Sequence, residues 1–131
     1  MNLMTKAGPI AFAFGLLLTT AAQAADVVNV YSARKEALIK PLLDEFSANT
    51  GIKVNLITGK ADALLKRLQV EGSASPADVF ITVDAGRLHR AKTAGVLKPI
   101  SLPALEQRIP ASLRDADGYW YGLTLRARPI I

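Results

Sequence analysis

Apolar and polar positions alternate along this chain in blocks rather than residue by residue, and the blocks repeat. Val27, Val28, Val30 and Tyr31 form a short, β-branched run with little alternation, the pattern of a strand covered on both faces. A polar loop follows over Ser32 to Glu36. Leu38, Ile39, Leu42, Leu43 and Phe46 then fall at helical spacing, with Pro41 tolerable if it lies in the first turn, where backbone donors have no partner anyway. Gly51 stands where a left-handed residue would end that helix, and Ile52 to Ile57 open a second strand at once.

The unit recurs. Thr58 is the expected N-cap of a helix carrying Leu64, Leu65 and Leu68 and ending at Gly72, and Ser73 to Pro76 turn the chain. Asp78 to Val83 read as a third strand, Asp84 as the cap of a helix holding Leu88, and Gly95 as its end. Strands alternating with helices of this length imply right-handed crossovers and an α/β fold with an open, mainly parallel sheet. Beyond Pro99 the pattern weakens. Pro99, Pro103 and Pro110 leave room for a turn or two of helix near Leu105, Asp117-Gly118 signals a turn, and Tyr119 to Leu125 read as a strand.

Residues 1–24 are set apart from this pattern. Lys6 with the amino terminus, the apolar stretch Ile10 to Leu18 and the small-x-small triplet Ala22-Gln23-Ala24 make a signal peptide, with cleavage expected between Ala24 and Ala25. The apolar stretch is shorter than the roughly 20 residues that span a bilayer. A periplasmic location follows as an expectation, and residues 25–131 are long enough for one modest core. The net charge of +5 is spread over helix surfaces, without the clustered stripe of a nucleic-acid footprint. With no cysteine, any metal must be held through oxygen or nitrogen, which favours a hard ion.

The residues able to carry chemistry collect at the helix starts, near Ser32 to Glu36, Thr58 to Asp62 and Asp84 to Gly86. Each follows the C-terminal end of a strand, so all three share one rim, where unpaired backbone donors and the helix dipoles suit anions. Ordinary capping competes with binding for Thr58 and Asp84, and a solvated first-turn glutamate competes with a ligand for Glu36. Tyr119, Trp120 and Tyr121 are expected to pack a sheet face rather than line a ligand wall. His89 has no second histidine at metal-binding spacing, and no nucleophilic triad or P-loop is present, so the chain is not expected to be an enzyme.

The segments TGIKVNLITGKAD, EGSASPADVFITVDAGRLHRA and RIPASLRDADGYWYGLTLRAR resemble, in order and spacing, those of the periplasmic ferric-iron-binding proteins of ABC transporters. The resemblance implies a two-lobed, hinge-closing binding protein, monomeric at full length, that holds Fe(III) through tyrosinate and carboxylate oxygens with carbonate or another small anion and serves an inner-membrane ABC permease. Residues 25–131 would be its N-terminal lobe, the second lobe not being included. In that family the loop after the first strand commonly carries histidine, or histidine then tyrosine, where Lys35 and Glu36 stand here. Glu36 can still offer a carboxylate oxygen, and Asp84 is a second candidate metal ligand. Lys35 cannot coordinate and repels a cation unless it is paired. Arg126 matches the first arginine of an RxR segment that holds the accompanying anion, with Ser32 and Thr58 as further anion contacts, and Pro129 stands where the family usually has valine. A same-fold protein for thiamine, a polyamine or a phosphonate, and a truncated product without a binding role, are the alternatives.

Overall fold

The computed structural model describes residues 26–125; residues 1–24, where a signal peptide is expected, and Arg126 and Pro129 lie outside that range. Strand β1 (Val27–Ser32), helix α1 (Glu36–Thr50), strand β2 (Lys53–Thr58), helix α2 (Ala61–Glu71), strand β3 (Val79–Ile81) and helix α3 (Ala85–Thr93) alternate in chain order, and a short helix α4 (Pro103–Arg108) follows. The sheet is parallel throughout, in the order β2-β1-β3. Burial deepens along β1, from Val27, 43% exposed, to Val30, Tyr31 and Ser32, all within 2% of full burial.

The two faces of β1 are used by different helices. Tyr31 packs with Leu64 and Leu68 of α2, joined by the partly buried Ala33, Ala77, Phe80 and Val96. Val30 pairs in register with Leu56, and Leu56 and Val54 face α1 across a groove. Successive residues of a strand point to opposite faces, so α1 and α2 cover opposite sides of the sheet. Right-handed crossovers require this arrangement when β2 lies on one side of β1 and β3 on the other. Each leucine that α2 buries contributes about 1.5–3 kcal/mol relative to exposure.

Helix ends follow local chemistry. Gly51, at φ 73°, terminates α1 in the left-handed region and donates its N–H to the Ser47 carbonyl. Asp84 caps α3, its carboxylate accepting the Arg87 backbone N–H at 2.8 Å. Pro103 opens α4 at a position where its missing donor costs nothing.

Several expectations are corrected. Pro41 is the sixth residue of α1, past the first turn, so the Ala37 carbonyl receives no bond from it. Thr58 is the last residue of β2 and caps nothing; α2 is preceded by Lys60, whose side chain makes no capping bond. The strand expected over Asp78 to Val83 shrinks to Val79–Ile81, because only three residues find a partner on β1. Along α1 only Ile39 is fully buried, while Leu38, Leu42 and Phe46 of the apolar series are exposed at 66%, 59% and 39%. Tyr119 to Leu125 form no strand. A single antiparallel bridge, Arg114 to Tyr121, is made there, since no neighbouring strand stands alongside among the described residues. The aromatics pack that turn instead of a sheet face: the Tyr121 hydroxyl donates to the Ile100 carbonyl at 2.9 Å, and the Lys92 ammonium lies 4.8 Å from the Tyr119 ring centre.

Candidate functional site

The strand ends line up as one rim because the register places them level. Ser32 pairs with both Thr58 and Ile81. The backbone then stitches the three exits together: the Ser32 carbonyl accepts the Gly59 N–H at 3.1 Å, and the Ala33 N–H donates to the Ile81 carbonyl at 2.8 Å. β1 is where the connections diverge to opposite sides of the sheet, and a crevice beyond the carboxyl ends of such strands is the usual ligand position in open α/β folds.

Ser32 is fully buried, and its Oγ accepts the Arg34 backbone N–H at 3.1 Å. That bond bends the loop toward α1, so the hydroxyl is occupied in shaping the loop. Thr58 is exposed beside it. Glu36 opens α1 and lines a groove of about 170 Å³ with Lys40, Leu43, Asp44 and Ser47 of α1 and Val54 and Leu56 of β2. Asp84 meets both the backbone and the guanidinium of Arg87, and the backbone N–H is the larger cause holding its carboxyl below the usual range. Glu36 and Asp84 are therefore not brought together. Among the described residues no three His, Cys, Asp or Glu side chains gather in a group that could hold a metal.

One feature of the site escaped the reading of the sequence, and a second was read from it only at Lys35. Beneath the rim, the Tyr31 hydroxyl donates to Glu71 at 2.9 and 3.1 Å, Ser75 and Arg67 donate to the same carboxylate at 2.7 and 2.6 Å, and the Arg67 guanidinium stacks 4.8 Å over the Tyr31 ring. Hydrogen bonds from Ser75, then Arg67, hold the Glu71 carboxyl low, while burial first and the bond to Glu71 next push the Tyr31 phenol up. The only signal for this network was the i, i+4 spacing of Arg67, Glu71 and Ser75. The second feature is the charge of the rim itself. Asp62 pairs with Arg90 at 2.7 Å and Asp84 with Arg87, whereas Lys35 and Lys60, the residues just ahead of α1 and α2, have no ion-pair partner among the described residues.

The family described as bacterial extracellular solute-binding protein matches residues 29–128, most of the chain. The chain belongs to that family. Curated relatives of this solute-binding protein include iron uptake protein A1 of Synechocystis, 50% identical over 104 residues, or 79% of this chain and 29% of the relative. The Fe(3+)-binding periplasmic protein of Serratia marcescens is 36% identical over 128 residues, covering 95% of this chain and 38% of the relative. The chain thus spans roughly a third of the length of the curated relatives it matches. Among solved structures, the Trichodesmium protein in complex with iron and citrate ligands superposes with a TM-score of 0.70 at 52% identity, over 73% of this chain and 30% of that one. Apo ferric ion-binding protein A of Pasteurella haemolytica gives 0.71 at 47%, over 76% and 31%. The open parallel sheet with flanking helices is shared with these ferric-binding proteins.

Proposed function

We propose that this chain is the first lobe of an extracytoplasmic binding protein that captures ferric iron and presents it to an ABC permease in the inner membrane. The observation that carries this reading is the identity of about half between this chain and proteins named for iron uptake or ferric binding, spread over a segment whose strand exits form one rim. The protein binds rather than catalyses, is exported by the leader at residues 1–24, and acts as a monomer in closing two lobes over its cargo. Glu36 supplies a carboxylate oxygen to the ferric ion, a hard donor for a hard cation. Arg126, through two parallel hydrogen bonds, holds the accompanying anion with the loops after Ser32 and Thr58. Asp84, already occupied as a cap, is the weaker ligand.

Deleting the gene and measuring uptake of radioactive ferric iron by washed cells tests this. The expected outcome is a fall in iron uptake restored by the intact gene, with thiamine, polyamine and phosphonate uptake unchanged. Unchanged iron uptake, or a loss confined to one of those other solutes, would overturn it. Mass spectrometry of the periplasmic fraction should find a chain beginning at Ala25; one still beginning at Met1 refutes the cleavage site.

A further inference from the structure

The seam between β1 and α2 is apolar, built on Tyr31, Leu64 and Leu68. Such contacts are non-directional, so they press the helix onto the sheet and restrain its sliding along its own axis only weakly. A hydrogen bond weakens steeply with angle and length, and so it fixes the slide. Among the described residues one side-chain hydrogen-bonding group joins the two elements: the Tyr31 hydroxyl donates to Glu71, the last residue of α2, at 2.9 and 3.1 Å to its two oxygens. Glu71 is itself held from two sides. Arg67 donates to it from the preceding turn at 2.6 Å, and Ser75 donates at 2.7 Å from the turn that leads to β3, its Oγ also accepting the Ala77 N–H at 3.3 Å.

The other end of α2 reaches the rim. Ala61 opens the helix just after the exit of β2, about 15 Å along the axis from Glu71. Packing there is close. Gly59 donates its N–H to the Ser32 carbonyl at 3.1 Å, and a Cβ added to Gly59 would lie 3.3 Å from the Leu64 side chain. A helix is a rigid element, so a slide at Glu71 arrives at the loop from Thr58 to Lys60.

We infer that Glu71 is a positioning residue for the rim: through Tyr31 it sets how far α2 reaches toward the strand exits, and with that the placement of the Thr58–Lys60 loop for binding. This rests on the ferric-iron reading of the rim and names a residue that acts on it from the opposite end of α2. A carboxylate is required at this place because three donors converge on it. An amide would turn its own N–H2 toward one of them, and the Arg67 guanidinium has no acceptor to offer in return.

The test compares the full-length exported protein with Y31F, E71Q, the double variant Y31F/E71Q, and L68V. Ferric affinity is read from the visible absorbance under competing citrate, well below the melting temperature of each protein. Hydrogen exchange of the metal-free samples is read by mass spectrometry over Thr58–Leu64. Y31F and E71Q should each weaken ferric binding about five- to tenfold, and the double variant no further, since both remove the same link. L68V loosens the same seam without touching the hydrogen bonds, so it should lower the melting temperature and bind like the parent. Exchange over Thr58–Leu64 should quicken in Y31F and E71Q and not in L68V. An unchanged affinity in Y31F or E71Q, losses that add in the double variant, or an equal loss in L68V would overturn the inference and leave the ferric-iron reading standing. If the parent binds no ferric iron, that reading falls, and exchange alone decides the inference: unchanged protection over Thr58–Leu64 in Y31F and E71Q overturns it.

Discussion

The stretch from β1 to Val96 and the stretch from Leu97 to Leu125 follow one another in the chain, yet they are held by different forces. In the first, three parallel strands share a ladder, and Tyr31, Leu64 and Leu68 bury the seam between β1 and α2. In the second, the anchors are polar. Lys92 of α3 reaches Asp115 at 2.9 Å and Asp117 at 2.8 Å, Tyr121 donates to the Ile100 carbonyl, and Ile100 donates its N–H to the Gly118 carbonyl at 3.0 Å. Only Ile109 of this stretch is fully buried. Apolar burial is non-directional and shared over many contacts, whereas point contacts between backbone and charge depend on each group being in place. The first stretch should therefore unfold as a unit, and the second should open around single residues.

The comparison breaks most visibly at Leu68. Leu68→Ala removes a buried side chain 6% exposed and should cost about 2–5 kcal/mol. It should lower the denaturation midpoint for the whole fold, read by far-ultraviolet circular dichroism. A loss confined to the tail would contradict a single core seated on β1.

Gly118→Ala acts on the other region. Gly118 sits at φ 78°, and an added Cβ would fall 2.5 Å from the Ile100 carbonyl oxygen, so both backbone and neighbour resist. A cost of about 1–3 kcal/mol is expected. Hydrogen exchange should show it first in residues 99–122 while the β1–β2 amides stay protected. Uniform loss of protection would mean that the two stretches are one cooperative unit.

Tyr31→Phe should be milder than either. It keeps the ring in the α2 seam and leaves Glu71 with Ser75 and Arg67, so only the charge-assisted bond from the phenol is lost. Chemical denaturation is the measurement, and a cost equal to that of Leu68→Ala would show that the carboxylate network, not apolar packing, anchors α2.

The smallest effect expected is one of pH. The bond from Lys92 is the main cause holding the Asp115 carboxyl below its ordinary value, and Asp117 first, then Asp115, raise the Lys92 ammonium. Asp115 therefore contributes stability that is present above the ordinary carboxylate range near pH 4 and lost as pH falls through its lower folded value. Lys92 contributes stability present below the ordinary lysine range and lost as pH rises through its higher folded value. Asp115→Asn should flatten the acid limb of a melting-temperature profile between about pH 2 and 5. An unchanged acid limb would place the acid sensitivity in Glu71 and Asp84, whose carboxyls are likewise held low.

The same contrast explains what could be read in advance. The β-branched run of β1, the leucines of α2 and the stops at Gly51, Gly72 and Gly95 are local signals, because periodicity and helix termination are decided within a few residues. They were enough to specify three β-α units, the parallel sheet and the shared rim that Ser32, Thr58 and Ile81 make in register. The cap of α3 by Asp84 was legible for the same reason. Tertiary structure alone decided the rest. Tyr119 to Leu125 has the pattern of a strand, but a strand exists only where a partner stands beside it, and here one bridge is all that forms. The apolar spacing of α1 marks a helix without saying which residues are covered; packing chose Ile39 and left Leu38 and Leu42 in water. At the rim, composition could count lysines, but only the pairing of Asp62 with Arg90 and Asp84 with Arg87 decided which charges remain unpaired, because those partners meet through the fold and its helix turns.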